Sequence, residues 1–508
     1  LAALRERHLE GNEVKGAAAT TSLHVLRADE LSAAELATLQ RLARVRLNAD
    51  GRPLQHNVQE WAELHEQAFW VRTETSTTAV PVTPGSVGLR TAVPAPQGTF
   101  HTATGEFHFD AGSRLRPTRP WINVLANPQF GAQISEAGGG YTWAGNSRMN
   151  QLTAWSNDPV ADPPSEGFLL QDTRSREVWS LTPSAWGDSH VTYRIVHGQG
   201  FTTVNHWHDE LEVTARWCVD GVSAIKQIQV EMVNHGHRTL HLRLVGLAEW
   251  LMGSRREDRA TVATALCYER GPAGGTQLVA LTATQQDQSG GFGQGTAFLA
   301  MTTPLVEDPD WTCDRRECFD ARGRLVLPDH FGQRAGDGLD PCAALSTRLV
   351  LRAGESGTRT FLMGYAADPV AARRLATDAA AEMPARRLDL AVAAWDSLLG
   401  ASEVATPDPL FDVMVNRWLV YQTVACRIWA KAGFYQAGGA TGFRDQLQDT
   451  MGLAWAAPVL LRVQIVACAS RQFPQGDVQP WWHLPGGAGV RTHFSDDLLW
   501  LACACVRY

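Results

Sequence analysis

Around Asp368 the hydrophobic period of this chain changes, and no other feature restricts its fold as strongly. Between about residues 98 and 366 short runs alternate apolar and polar side chains: Thr192-Tyr-Arg-Ile-Val-His, Leu211-Glu-Val-Thr-Ala-Arg-Trp, Ala224-Ile-Lys-Gln-Ile-Gln-Val-Glu-Met-Val and Thr239-Leu-His-Leu-Arg-Leu-Val-Gly-Leu. A period of two belongs to strands with one face on a core. Turn residues separate the runs, as in Val219-Asp-Gly-Val and Asn234-His-Gly-His. Long helical patterns are missing between them, so the sheet is antiparallel and the expected architecture is a large sandwich. After Asp368 the period becomes helical. Helices are expected at 369–383, 388–399, 410–432, 445–469 and 495–508, joined by glycine-rich loops with polar clusters at their ends.

At 508 residues the chain is too long for one ordinary core. Residues 1–80 read as a helical N-terminal segment. Ser32-Ala-Ala-Glu35 forms a capping box ahead of leucines at helical spacing, and 58–72 is similar. The stretch from Thr73 to about Gly98, rich in Thr, Val, Pro and Gly, marks a boundary. The expected organisation is thus a helical segment at 1–80, a β domain at 81–366, a helical linker at 367–405 and a helical domain at 406–508. The chain opens on Leu1 and closes on Tyr508 inside an apolar run, so a fragment of a longer protein is expected.

Charge and cysteine content exclude several classes. A net charge of −8 argues against nucleic acid or an anionic membrane as partner. No apolar run approaches the ~18–20 residues of a membrane span, and no signal peptide opens the chain. The nine cysteines lack zinc-ligand spacing and read as reduced structural thiols, hence a soluble protein facing the cytoplasm. The 18 tryptophans against seven tyrosines are unusual. Tryptophan fills cores, and its face also stacks on sugar rings.

The densest chemistry lies in Tyr435-Gln-Ala-Gly-Gly-Ala-Thr-Gly-Phe-Arg-Asp-Gln-Leu-Gln-Asp449. Glycines permit tight turns and close approach of backbone to a ligand. The loop delivers Arg444, Asp445, Gln448 and Asp449 to a helix start, an inventory suited to a polyhydroxylated or anionic small molecule. Asp445 would accept from sugar hydroxyls; alternatively Arg444 and Asp445 form a local ion pair capping the helix. Asp445 and Asp449 share a helix face and repel unless a cation or ligand lies between them. A second cluster holds Gln479, Trp481, Trp482 and His483, a stacking wall with an imidazole or else loop packing. It continues through Arg491 to Ser495-Asp-Asp497, where Ser495 is expected as a helix N-cap.

In the β region, Glu136-Ala-Gly-Gly-Gly-Tyr-Thr-Trp-Ala-Gly-Asn-Ser-Arg148 stands out. Its Tyr141 and Arg148 suit a loop reaching a ligand; a turn-rich hairpin is the alternative. His206 and His208 are two apart with no third ligand, which favours packed histidines over a metal site. No phosphate-binding loop, nucleotide fingerprint or nucleophile elbow occurs.

Assembled, these stretches resemble glycoside hydrolase family 94, in particular the phosphorylase-like C-terminal region of cyclic β-1,2-glucan synthases, related to cellobiose and chitobiose phosphorylases. The resemblance rests on Pro120-Trp-Ile-Asn-Val-Leu-Ala-Asn-Pro-Gln-Phe-Gly, the 136–148 stretch, Gly439-Ala-Thr-Gly-Phe-Arg-Asp-Gln-Leu-Gln-Asp, Gly476-Asp-Val-Gln, Trp481-Trp-His, Gly489-Val-Arg-Thr and Ser495-Asp-Asp-Leu-Leu-Trp500. It implies a β super-sandwich, a helical linker and the first part of an (α/α)6 barrel. It also implies inverting phosphorolysis with inorganic phosphate as co-substrate and no other cofactor. A homodimer is implied, with Gly138–Gly140 offered to a partner's site. By the resemblance, Arg444 and Asp445 hold the sugar at the cleavage subsite.

Two departures matter. The family's general acid lies in an Asp-Trp-Asn-Asp motif that these 508 residues do not contain, so no catalytic residue is assigned and the acid is expected beyond Tyr508. The family's Gln-His-Trp-Trp-His-Pro-Pro reads here Gln479-Pro-Trp-Trp-His-Leu-Pro485, so Pro480 cannot supply one polar contact. The implied function is phosphorolysis of β-1,2-glucan within a synthase that carries glycosyltransferase and inner-membrane parts upstream. A stand-alone oligoglucan or disaccharide phosphorylase and a non-catalytic glucan-binding fragment are the alternatives.

Overall fold

A computed structural model of the chain describes residues 26–42, 53–75, 80–81, 97–112, 115–158, 162–184, 186–187, 190–271, 275–287, 289–304, 308–320, 323–433 and 436–508. The chain divides into two compact units, Leu1–Ala62 and Glu63–Tyr508. In the first, helix α1 (Ala33–Leu42) opens on the expected capping box. Ser32 N–H donates to Glu35 Oε2 at 2.9 Å and Glu35 N–H donates back to Ser32 Oγ at 3.2 Å. Two otherwise orphaned donors are thereby satisfied. The 58–72 pattern falls within α2 (Leu54–Thr75).

The second unit is a β super-sandwich followed by a helical region. One sheet has ten strands, ordered Val262–Arg270, Thr276–Gln285, Thr296–Pro304, Ser356–Ala366, Ile225–Asn234, Leu211–Val219, Phe201–His208, Tyr193–Gly198, Phe107–Ala111 and Thr99–Phe100. The other has nine. Its main path runs Asp310–Asp314, Pro341–Leu351, Leu240–Gly253, Gln151–Thr153, Gly140–Ala144, Phe130–Ser135 and Ile122–Ala126. Glu166–Asp172 also pairs with Leu240–Gly253, and Val178–Ser180 with Glu166–Asp172. Pairing is antiparallel throughout, as the alternation predicts. Val213, Ala215, Ile228 and Val230 of one sheet meet Leu242, Leu244 and Leu345 of the other in a common core. Each such side chain contributes roughly 1.5–3 kcal/mol on burial.

Alternation of burial fails in much of the nine-stranded sheet, and at two of its strands that brings the helices in. Every residue of Phe130–Ser135 and of Gly140–Ala144 is buried, so both faces of this part of the sheet are covered. The outer face offers Val124, Ala126, Tyr141 and Trp143, which pack on Trp395, Trp418, Tyr421 and Val424. Helix α3 (Pro369–Ala381) covers the ten-stranded sheet instead. Ala372, Ala376 and Ala379 let its backbone lie close to Ile225, Leu278, Phe298 and Leu362. Asp368 caps it by accepting from Ala371 N–H at 2.9 Å, with Pro369 at the first position. Helix α4 (Pro384–Leu399) follows.

Three helical expectations change. The run 409–430 is helical, but π-turns at Met414–Trp418 and Thr423–Ala430 interrupt its α-turns. The single helix expected at 445–469 is two, α5 (Phe443–Met451) and α6 (Pro458–Ala469). Pro458 lacks an N–H and clashes with a preceding helical turn, so it starts a helix rather than continuing one. The last helix, α7, spans Asp497–Arg507. Asp496, not Ser495, precedes it, and no side chain caps it. No helix among the described residues is long and apolar enough to cross a membrane. All nine cysteines are unpaired.

Tyr421 fastens the helices to the sandwich. Its ring is buried, edge-on to Trp395 at 4.5 Å. Its hydroxyl lies 2.9 Å from both Asn123 Oδ1 and Val124 O and accepts from Gly200 N–H at 3.2 Å. Replacing Tyr421 by Phe strands these buried groups without changing the shape. The expected loss is about 1–2 kcal/mol in chemical denaturation, with native far-UV circular dichroism retained.

Candidate functional site

The glycine-rich loop and the Trp-Trp-His stretch are hydrogen-bonded neighbours. Ala440–Gly442 pairs antiparallel with Trp481–His483, setting Gly442 opposite Trp481 and Ala440 opposite His483; Ala488–Val490 completes a three-stranded sheet. Pro480 cannot donate, but its carbonyl accepts the first N–H of α5, from Phe443, at 2.8 Å. Tyr435 lies outside the described residues.

Helix α5 presents its polar face because its other face is fixed. Phe443, Gln446, Leu447 and Thr450 are buried, at the i, i+3, i+4, i+7 spacing of one helical face. Phe443 and Leu447 pack with Leu461, Cys468, Val478, Trp482 and Ala504. Arg444, Asp445 and Gln448 are therefore exposed, and Asp449 is half-buried.

The charges then sort themselves. Arg427, from the 409–430 run, pairs with Asp449 at 2.8 Å. Arg444 pairs with Asp496 at 2.8 Å, and its Nε lies 3.4 Å from Gln448 Oε1. The Arg444–Asp445 ion pair, the alternative reading of this stretch, does not form; Arg444 is paired with Asp496 instead. Asp445 has no hydrogen bond or ion pair among the described residues. Arg427 neutralises Asp449 but not Asp445. Burial still holds the Asp449 carboxyl above its ordinary range, opposed by Arg427 and helped by Asp445. Burial likewise raises Asp497, with Asp496 and Asp445 adding to the effect and Arg444 opposing it. Asp497 Oδ2 is buried without a hydrogen-bond partner.

The sandwich reaches this rim through the turn after Gly140–Ala144. Asn146 Nδ2 donates to Gly439 O and to Leu484 O, both at 2.9 Å, tying that turn to the loop on one side and to the Trp-Trp-His segment on the other. Gly439 has φ +60°, and a Cβ there would lie 2.2 Å from Asn146 Oδ1 and 2.8 Å from Arg148 Cβ. Only glycine fits that backbone conformation and that approach. Arg148 is thereby held, exposed, beside His483. Burial, and then the charge of Arg148, lower the His483 pKa, favouring the neutral imidazole.

Other expected site residues serve the framework. Trp482 is 2% exposed and lies beneath Arg471, whose guanidinium is 5.0 Å from the ring; it is core, not a stacking wall. Trp481 is 39% exposed and edge-on to His483 at 5.5 Å, so one indole remains for stacking. Gln479 Nε2 donates to Gly487 O at 3.2 Å while its Oε1 accepts from Arg471 at 3.3 Å. Arg491 forms a two-pronged pair with Asp477, reaches Gln475 Oε1 at 3.0 Å and lies 4.1 Å from the Phe473 ring centroid. Tyr141 is 1% exposed, stacked on Trp155 at 5.2 Å.

The 136–148 stretch is thus the turn-rich hairpin, and the part of it that reaches this rim is 145–148. His206 accepts from Trp179 Nε1 at 3.1 Å, and His208 stacks on the same indole at 3.9 Å; both are packed histidines. Sequence reasoning missed Arg427, Asp496 and the bridging role of Asn146. Only the last had a local signal, an Asn after Gly145 in a turn.

Known proteins match these two regions in the same order. The family model described as glycosyl hydrolase 94, supersandwich domain, matches residues 106–382. The glycosyl hydrolase 94 superfamily, catalytic domain, matches 394–505. The chain belongs to glycoside hydrolase family 94. It is 37% identical over 398 residues to the cyclic beta-(1,2)-glucan synthase NdvB of Rhizobium meliloti (strain 1021), covering 77% of this chain and 14% of that protein. It is 24% identical over 432 residues to an N,N'-diacetylchitobiose phosphorylase of Vibrio proteolyticus, covering 77% and 52%. A bacterial glucoamylase complexed with acarbose superposes over 76% of this chain and 56% of its own with a TM-score of 0.44 at 8% identity. The chain therefore spans about half or less of these curated relatives.

The same hairpin generates a pH prediction. Glu136 is buried, its Oε2 accepting from Trp121 N–H at 2.8 Å, and its pKa is raised to about 7 by burial, with Asp162 adding to the effect. A folded-state pKa above the unfolded one gives stability that is full below the unfolded value and is lost as pH rises through about 7. Glu136→Gln keeps the acceptor and removes the ionisation. It should flatten the fall in stability between about pH 5 and 8, a difference on the order of 3 kcal/mol, read from urea titrations across that range. An unchanged slope would assign the pH dependence elsewhere.

Proposed function

We propose that this chain is the glucan-gripping part of a family 94 phosphorylase unit acting on β-1,2-glucan. Asp445 accepts hydrogen bonds from the hydroxyls of the glucosyl residue at the cleavage subsite. The observation that carries this reading is the state of Asp445. It is exposed and, among the described residues, unpaired, while each neighbouring guanidinium is held by a different carboxylate. An ionised carboxylate is an acceptor-only group, suited to paired sugar hydroxyls. Trp481 supplies an apolar face, and Arg148 with neutral His483 supplies donors from the sandwich side of the rim.

In the longer protein, glucan would be cut by inverting phosphorolysis. Inorganic phosphate attacks the anomeric carbon, an acid protonates the leaving oxygen, and glucose 1-phosphate leaves. No second carboxylate is then needed to activate water, unlike inverting hydrolysis. The 37% identity to a β-1,2-glucan synthase, against 24% to a chitobiose phosphorylase, favours β-1,2-glucan over an N-acetylated disaccharide. The 508 residues contain no Asp-Trp-Asn-Asp acid motif, so the chain alone binds glucan without cutting it.

Calorimetric titration with β-1,2-linked glucan oligosaccharides should give saturable binding that Asp445→Ala abolishes at unchanged melting temperature. No glucose 1-phosphate should form with phosphate present. Binding of diacetylchitobiose in preference to β-1,2-glucan would overturn the substrate assignment. Phosphate-dependent release of glucose 1-phosphate by the chain would overturn the division between gripping and cutting.

A further inference from the structure

The residue just before α7 is a usual place for a helix cap, and Asp is among the best caps. Asp496 stands there and caps nothing in its own helix. Its Oδ2 instead accepts from Arg444 Nη1 at 2.8 Å and lies 3.3 Å from Trp500 Nε1, one turn along α7. The Arg444 guanidinium sits 6.0 Å from the Trp500 ring centroid. Its Nε is near Gln448 Oε1 on its own helix. Two helices thus hold one guanidinium from three sides. Its Nη2 has no hydrogen bond among the described residues, and the side chain is 50% exposed.

We propose that Asp496 is a positioning residue for the sugar subsite, acting through Arg444. Its first effect is to hold the guanidinium away from Asp445. A released Arg444 would be drawn to the adjacent free carboxylate and would use up the lone pairs that Asp445 offers to hydroxyls. Its second effect is to fix the direction of the free Nη2 donors. A guanidinium is a rigid planar fork, so one anchored edge sets the orientation of the other. The argument rests on the reading of Asp445 as a sugar acceptor.

Asp496→Asn keeps the size of the side chain and removes its charge. Binding of a β-1,2-glucan oligosaccharide should weaken by about tenfold at unchanged melting temperature. In an Arg444→Met background the same substitution should cost nothing further, because its effect runs through the missing guanidinium. Equal losses in both backgrounds, no loss, or a loss that follows a fall in melting temperature would each overturn the proposal.

The Arg444 Nη1–H resonance, the one whose acceptor is Asp496, provides a reading that does not involve sugar. It should be protected from exchange in the unmodified chain and lose that protection in Asp496→Asn. If the unmodified chain binds no glucan, the proposed function fails, and this resonance alone decides whether Asp496 positions Arg444. The same exchange rate in both proteins would show that it does not.

Discussion

The nine-stranded sheet is buried on both sides along Phe130–Ser135 and Gly140–Ala144, and the rest of the arrangement follows from that. A sheet of this kind cannot leave either face in water. One face closes the sandwich core. The other can be covered only by what comes later in the chain, and Trp395, Trp418 and Tyr421 cover it. Once they dock, the turn that leaves Gly140–Ala144 ends at the start of the catalytic domain. Asn146 then meets Gly439, and Arg148 comes to lie beside His483. The site is therefore a product of sheet burial before it is a product of loop chemistry.

The electrostatics of the rim are a matter of allocation. Asp445, Asp449, Asp496 and Asp497 converge on Arg427 and Arg444, so negative charge is in excess. Asp449 and Asp496 take the two guanidinia. Asp497 is withdrawn from water and its pKa rises. Among the described residues, Asp445 alone of the four is left exposed without a hydrogen-bond or ion-pair partner. Arg491 contrasts with this: it is equally cationic and close in sequence, but Asp477 and Gln475 occupy it and it fixes a loop instead.

Much of this was legible in the sequence, for identifiable reasons. Strands such as Leu211–Val219 declared themselves because alternation reports directly on a half-buried sheet. The Ser32–Glu35 box was readable because a cap is local. The family resemblance was readable because its motifs are long and contiguous. Partnerships across the chain were not. Arg427 and Asp449 are 22 residues apart on different helices, and Arg444 and Asp496 are 52 apart. Their contact depends on packing that no local pattern encodes. Trp482 was misread for a more elementary reason. Consecutive residues of a strand face opposite sides, so two adjacent tryptophans cannot form one wall, and once Trp481 faced outward Trp482 had to enter the core.

Asn146 also bears on how far the sandwich and the helices can part. Both contacts of its side-chain nitrogen are made with carbonyls on the far side of the seam between sandwich and helices, and Gly439 leaves no slack around it. Any hinge opening along that seam would break both bonds at once and strand a buried amide. The seam is thus braced against hinge opening by two hydrogen bonds and by the cost of a stranded amide.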